Sequence, residues 1–136
     1  MITRALADAN VLYSRTVRDW LILIQQESAE RIYTLCWTED ILAEVIYHLR
    51  RDNPTADGGV ITRLHDRIAD ALESGRITDF RIDGSFPGSD PNDQHVHAAA
   101  VAGKVSYLIT ADGGFRSSGV DLDDLPYEVH SPAVSW

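Results

Sequence analysis

Five acidic residues stand where chemistry could gather. Asp8 follows the strand-like stretch "ITRALA", Asp90 and Asp93 follow "RITDFRI" and its loop, Asp112 follows "VSYLIT", and Glu44 lies within "TEDILAEVIYHLRR". In an open parallel α/β sheet, ligands bind outside the carboxyl ends of the strands, and the aspartates fall at such ends. Carboxylates brought together repel one another unless a cation neutralises them. Hard divalent ions such as Mg²⁺ or Mn²⁺ prefer oxygen ligands and keep several waters. An ion of this kind activates water and stabilises charge on a phosphodiester during in-line displacement. Competing chemistry is missing from the sequence: there is no Cys/His set at zinc spacing, no glycine-rich phosphate loop, no GxSxG and no HExxH.

Each acid also has an ordinary structural reading. Asp8 can cap the turn into the first helix, and Asp112 in "TADGGF" is a natural turn former beside two glycines. Asp90 precedes Pro91 and stands three residues before Asp93, an order that suits a helix N-cap, first position and third position. Glu44 falls near the margin of the apolar stripe Ile41, Leu42, Val45 and Ile46, so periodicity leaves it undecided. His97 shares a helical face with Asp93, and His48 is one turn after Glu44. A satisfied structural histidine is the simpler reading of both. His65 and His130 carry no signal.

The elements that must position these residues alternate between strand and helix, which indicates an α/β fold with a parallel sheet. "ITRALA", "RIYTLCW", "RITDFRI" and "VSYLIT" read as strands, and the acidic tail "VDLDDLPYEVHSPAVSW" returns one more. "SRTVRDWLILIQQES" reads as a helix capped by Ser14, with Val17, Trp20, Leu21 and Ile24 at helical spacing. "TEDILAEVIYHLRR" reads as a helix capped by Thr38, with Glu39 and Asp40 favourably placed in its first turn. "VITRLHDRIADALESG" carries Ile61, Leu64, Ile68 and Leu72 in register and stops at Gly75. "PNDQHVHAAAVAG" is a short helix with Gly103 just past its end, and "ADGGF" is a turn. No linker or repeat divides the 136 residues, so a single domain over 1–136 is expected.

The formal net charge of -9 argues against non-specific nucleic-acid binding and suits a site that gathers cations. Lys104 is the only lysine, so local binding of phosphates must rest on arginine. Cys36, the single cysteine, sits in an apolar run and reads as a buried small hydrophobe. The N-terminus lacks a signal-peptide pattern, and the longest apolar run, "WLILI", is far short of a membrane span. A cytoplasmic protein with no membrane association is the expectation.

With these motifs in order, nearly the whole chain resembles a PIN-domain protein. "ADANVLYSRTVRDWLILI" resembles the family's opening, a strand running into Asp8, then Asn10, an apolar pair and the first helix. "WTEDILAEVIYHL" resembles the helix that carries the family's glutamate, at Glu44. "DQHVHAAAVAG" resembles its third acidic helix, at Asp93, with Val96, Ala98 and Ala100 at the expected offsets. "VSYLITADGGF" resembles its last motif, with Thr110, Asp112 and Phe115.

The resemblance implies a three-layer α/β/α fold around a central parallel sheet. It implies an endoribonuclease dependent on Mg²⁺ or Mn²⁺, with Asp8, Glu44, Asp93 and Asp112 as catalytic and metal-ligating residues, leaving a 5′-phosphate and a 3′-hydroxyl. Asn10, Asp90 and Thr110 would orient those groups, and Arg15, Arg18 and Arg116 would meet RNA phosphates. Many small bacterial members resemble VapC toxins, restrained by a cognate antitoxin and often homodimeric. "DANVLY" and "WTEDIL" look most like a less characterised subgroup that frequently has asparagine near the last position, where this chain keeps the acidic Asp112. Two other readings stand beside the nuclease. One is a catalytically silent PIN-fold binding or regulatory module. The other is a phosphotransfer domain, for which "DANVLY" lacks a DxD motif and the last strand lacks a following lysine.

Overall fold

The computed structural model describes residues 3–27, 33–55, 58–83, 86, 91–111 and 121–131. Strand β1 (Thr3–Ala7) runs into a short helix α1 (Ala9–Tyr13), then α2 (Arg15–Glu27) and β2 (Tyr33–Cys36). Helices α3 (Glu39–Asp52) and α4 (Gly58–Ala71) follow, then α5 (Pro91–Ala102), β3 (Tyr107–Ile109) and β4 (Glu128–His130). The strands form one parallel sheet in the order β2-β1-β3-β4, with Leu6 opposite Cys36 on one side and opposite Leu108 on the other.

Ala5, Leu6 and Ala7 are buried in succession, as are Thr34, Leu35 and Cys36. Successive strand side chains point to opposite faces, so both faces of the sheet are covered, as in an α/β/α sandwich. From β1 the chain steps outward to β2 and later returns to β3 on the other flank. The order therefore reverses between β1 and β3, which opens a crevice at their carboxyl ends.

Local signals account for much of this. The Thr38 hydroxyl accepts from the Ile41 amide at 3.0 Å and caps α3, whose last turn carries Arg50 and Arg51. Trp37 is fully buried, and its indole N–H is satisfied by the Leu72 carbonyl at 2.7 Å. Gly75 lies so close to β2 that an added Cβ would stand 1.8 Å from the Leu35 carbonyl oxygen. Cys36 is buried, as its apolar context suggests, and burial pushes its thiol pKa up.

Two expectations change. "RITDFRI" is not a strand: Arg76 alone makes a parallel bridge to Trp37, and Asp79 at φ 57° then turns the chain away. The helix over "SRTVRDWLILIQQES" starts after Ser14 as expected, the Ser14 hydroxyl oxygen lying 3.4 Å from the Val17 amide, and the short α1 precedes it. Trp20 does not join the core and is 53% exposed. The buried side of α2 is set by Val17, Leu21, Ile22 and Arg18, and at roughly 100° per residue Trp20 points well away from their centre. Among the described residues, no helix is long and apolar enough to cross a membrane.

Candidate active site

The best-defined polar arrangement spans the crevice between β1 and β3. The Asp8 amide donates to the Ile109 carbonyl at 3.0 Å, carrying the strand pairing one residue past β1. Asp8 then leaves the strand with extended backbone and caps α1, its Oδ1 accepting from the Ala9 amide at 2.7 Å. Its other oxygen, Oδ2, accepts from the Thr110 hydroxyl at 3.1 Å. Thr110 Oγ1 in turn accepts from Asn10 Nδ2 at 3.2 Å, and Asn10 Oδ1 accepts from the Ala111 amide at 3.0 Å. Thr110 is buried, and its amide donates to the His130 carbonyl at 2.9 Å. The capping reading of Asp8 is therefore correct, and it uses one carboxylate oxygen. The second is aimed by a residue 102 positions away.

Asp93 lies in the first turn of α5 and is only 8% exposed. A carboxylate that deep is costly unless neighbouring groups compensate its charge. One turn on, His97 is buried with its Nδ1 2.7 Å from the Tyr127 hydroxyl, and the Phe86 ring lies 5.3 Å from the imidazole, centre to centre. Burial, with the Asp93 carboxylate adding to it, pushes the Tyr127 phenol far above its ordinary pKa. Burial also pulls the His97 pKa down, favouring the neutral imidazole. His97 is a satisfied core histidine, as its simpler reading held. Tyr127 gave no sequence signal beyond an aromatic residue before the last strand, in "LPYEVH".

Glu44 is half-buried on α3, beside the core residues Leu42 and Val45, with an oxygen 3.9 Å from His48 Nε2. Helix α3 packs against α1, where the Tyr13 hydroxyl meets the Asp52 carboxylate and the Tyr13 ring lies edge-on to His48. His95 joins α5 to the start of α3 through Asp40 at 2.9 Å.

The arginines assigned by sequence proximity have different surroundings. Arg15 is exposed and pairs with Asp19 at 3.8 Å. Arg18 is buried and braces α2 against α1 by donating from Nη1 to the Leu12 carbonyl at 2.8 Å. Burial lowers its pKa, and the charges of Arg67 and Arg15 push the same way against Asp19. Arg15, Arg18, Arg63 and Arg67 line a groove between α2 and α4, with Ile22 and Leu64 among its apolar residues. Asp90, Asp112 and Arg116, and most of the "ADGGF" turn, lie outside the described residues.

The structure thus brings Asp8, Asn10 and Thr110 together, sets Glu44 against His48, and places Asp93 near the Tyr127 phenol. Among the described residues, no three His, Cys, Asp or Glu side chains form a group that could hold a metal ion. The donor chemistry of Asp8, Glu44 and Asp93 suits a hard divalent cation, and the fourth expected ligand, Asp112, is outside the described residues.

The PIN-domain family profile matches residues 4–113. No curated protein matches the chain. Among solved structures, the fold is similar to VapBC2 from Rickettsia felis bound to a DNA fragment from their promoter. The TM-score is 0.55 at 12% identity, over 95% of this chain and 98% of that one. It is also similar to FitAcB from Neisseria gonorrhoeae, with a TM-score of 0.51 at 15% identity over the same shares.

Proposed function

The chain belongs to the PIN-domain family, and on that premise we propose that it is a divalent-metal-dependent endoribonuclease. The observation that carries the reading is Asp8, held at the β1–β3 crevice by the Thr110 hydroxyl. In this proposal Asp8, Glu44, Asp93 and Asp112 hold Mg²⁺ or Mn²⁺. A bound ion supplies the positive charge that offsets these acids and the scissile phosphate, and makes water a competent nucleophile.

The chain's own residues prepare that site. Thr110 donates to Asp8 Oδ2, which favours the ionised carboxylate and fixes its direction. Asn10 holds Thr110 from the other side, so the hydroxyl's proton is committed to Asp8. Its Oδ1 accepts from the Ala9 amide and its Oδ2 from the Thr110 hydroxyl, so both Asp8 oxygens are held in direction. Arg15, Arg18 and Arg116 are the proposed contacts for RNA phosphates.

We take residues 1–136 as one cytoplasmic PIN domain that acts as a homodimer and as the toxin of a toxin–antitoxin pair. The likeness to VapBC2 supports that pairing. The α2–α4 groove, with arginines around apolar residues, offers an antitoxin segment a surface that would compete with RNA for the same guanidinium groups.

The test is cleavage of RNA by purified protein with Mn²⁺, with a chelator control and Asp8→Ala. Cleavage that needs the metal and is lost in Asp8→Ala supports the assignment. Cleavage that survives the substitution overturns it. The alternative reading is a catalytically silent binding or regulatory module. That reading expects metal-independent partner binding and no turnover.

A further inference from the structure

We propose that Tyr127 is a positioning residue for the reaction: its buried hydrogen bond to His97 fixes the rotation of α5 and so the direction in which Asp93 faces. The inference rests on the nuclease reading, in which Asp93 is a ligand.

Helix α5 buries Val96 and three alanines, Ala98, Ala99 and Ala100, whose methyl groups key its azimuth less than a larger side chain would, and His95 reaches Asp40 at 2.9 Å near its start. His97 is its largest buried polar side chain. Its Nδ1 lies 2.7 Å from the Tyr127 hydroxyl, and both residues are at most 5% exposed. Turning the helix would break this buried bond, which is costly. Asp93 precedes His97 by four residues and therefore lies on the same face, one turn away.

Tyr127 can serve as a fixed point because the sheet holds it. It directly precedes β4, and the Glu128 amide donates to the Ser106 carbonyl at 2.9 Å. Strand β4 pairs with β3, and β3 leads into Thr110, which holds Asp8. One hydrogen-bonded frame therefore carries both acids, Asp8 through Thr110 and Asp93 through Tyr127 and His97.

The experiment removes only the hydroxyl. Tyr127→Phe should lower kcat by roughly tenfold with KM unchanged, the scale of one lost hydrogen bond, and should weaken Mn²⁺ binding measured by calorimetry by a similar factor. Helix content by circular dichroism should not change. His97→Leu should behave alike, and adding it to Tyr127→Phe should cost little more, since both act through one bond. His97→Asn places an amide near the position of Nδ1 and should restore most of kcat and of Mn²⁺ affinity. It also serves as the second probe if Tyr127→Phe folds poorly.

A merely structural pair would lower the melting temperature in these variants and leave kcat and Mn²⁺ affinity at wild-type values. That result overturns the positioning role while the nuclease reading stands. Wild-type protein that neither binds Mn²⁺ nor cleaves RNA overturns both.

Discussion

Asp8 and Asp93 are held in different ways. Asp8 is half-buried at the end of the central strand, and each of its oxygens has a donor, one from the next residue and one across the crevice. Asp93 is more deeply buried in the first turn of a helix, and its surroundings include a phenol from the far end of the chain. The first carboxylate is oriented largely by strand pairing and a helix start. The second depends on how a whole helix is rotated against the sheet. An acid oriented by backbone pairing tolerates changes in packing better than one oriented by helix rotation, and substitutions should separate the two.

The largest effects fall on the acids themselves. Asp93→Asn and Asp8→Ala should each reduce Mn²⁺-dependent cleavage by roughly a thousandfold or more, measured on a defined RNA. Their stabilities should differ. Asp8→Ala removes a helix cap and leaves the Thr110 hydroxyl without its acceptor, at a cost of about 1–2 kcal/mol in urea denaturation. Asp93→Asn replaces a buried charge with a neutral amide and should not lower stability. A large loss of stability in Asp93→Asn alone would reverse the comparison.

Next in size is Thr110→Val, which keeps the shape and removes the donor to Asp8. Metal affinity and activity should fall by about 10–100-fold, since groups that orient a ligand carry effects on that scale. A variant with unaltered Mn²⁺ affinity would show that Asp8 does not need Thr110 for its direction.

Asp90→Ala should mainly cost about 1 kcal/mol of stability, as for an N-cap, and reduce cleavage far less than Asp93→Asn. If Asp90→Ala abolished cleavage and Asp93→Asn did not, the assignment within this pair would be inverted.

The smallest effect belongs to a cluster at the start of α3, outside the proposed ligands. His65 sits between Asp66 and Glu39 at 3.1 Å each, and Arg76 reaches the same Glu39 at 3.1 Å while stacking 5.7 Å from the Trp37 ring centre. Hydrogen bonds to Asp66 and Glu39 raise the His65 pKa above its ordinary 6.5. A raised folded-state pKa stabilises below the unfolded value, and the contribution is lost as pH rises through the folded value. His65→Ala should therefore lower the melting temperature slightly at about pH 5.5, with the difference shrinking by about pH 8.5. Cleavage at a fixed pH should not respond, which makes this variant a control for both acids.

Some residues were legible in the sequence because their signals are local. Thr38 as a cap, Cys36 as a core residue, Gly103 after the last helix and one more strand in the acidic tail needed only local signals. Glu44 was expected at the margin of its apolar stripe and is half-buried there. Other readings failed where a partner decided the outcome. "RITDFRI" has the composition of a strand, yet a strand exists only when a neighbour pairs with it, and here the pairing stops after one residue. Trp20 has helical spacing, yet the face that α2 buries was set by Arg18 and Ile22. Arg18 lies near a motif, which says nothing about its surroundings: it is buried and donates from Nη1 to the Leu12 carbonyl.

By itself the sequence determined most of the alternation of strands and helices, the helix starts and the placing of Asp8 where β1 ends. Those features depend on backbone preferences and side-chain periodicity within a few residues, and they persist whichever way the elements pack. The tertiary structure decided that Asp8 meets Thr110, that His97 meets Tyr127 and that four arginines share one groove. These pairings follow from the order β2-β1-β3-β4 and from the rotation of each helix against the sheet. Neither is written in any short window of residues, because both are set by the burial of many side chains at once.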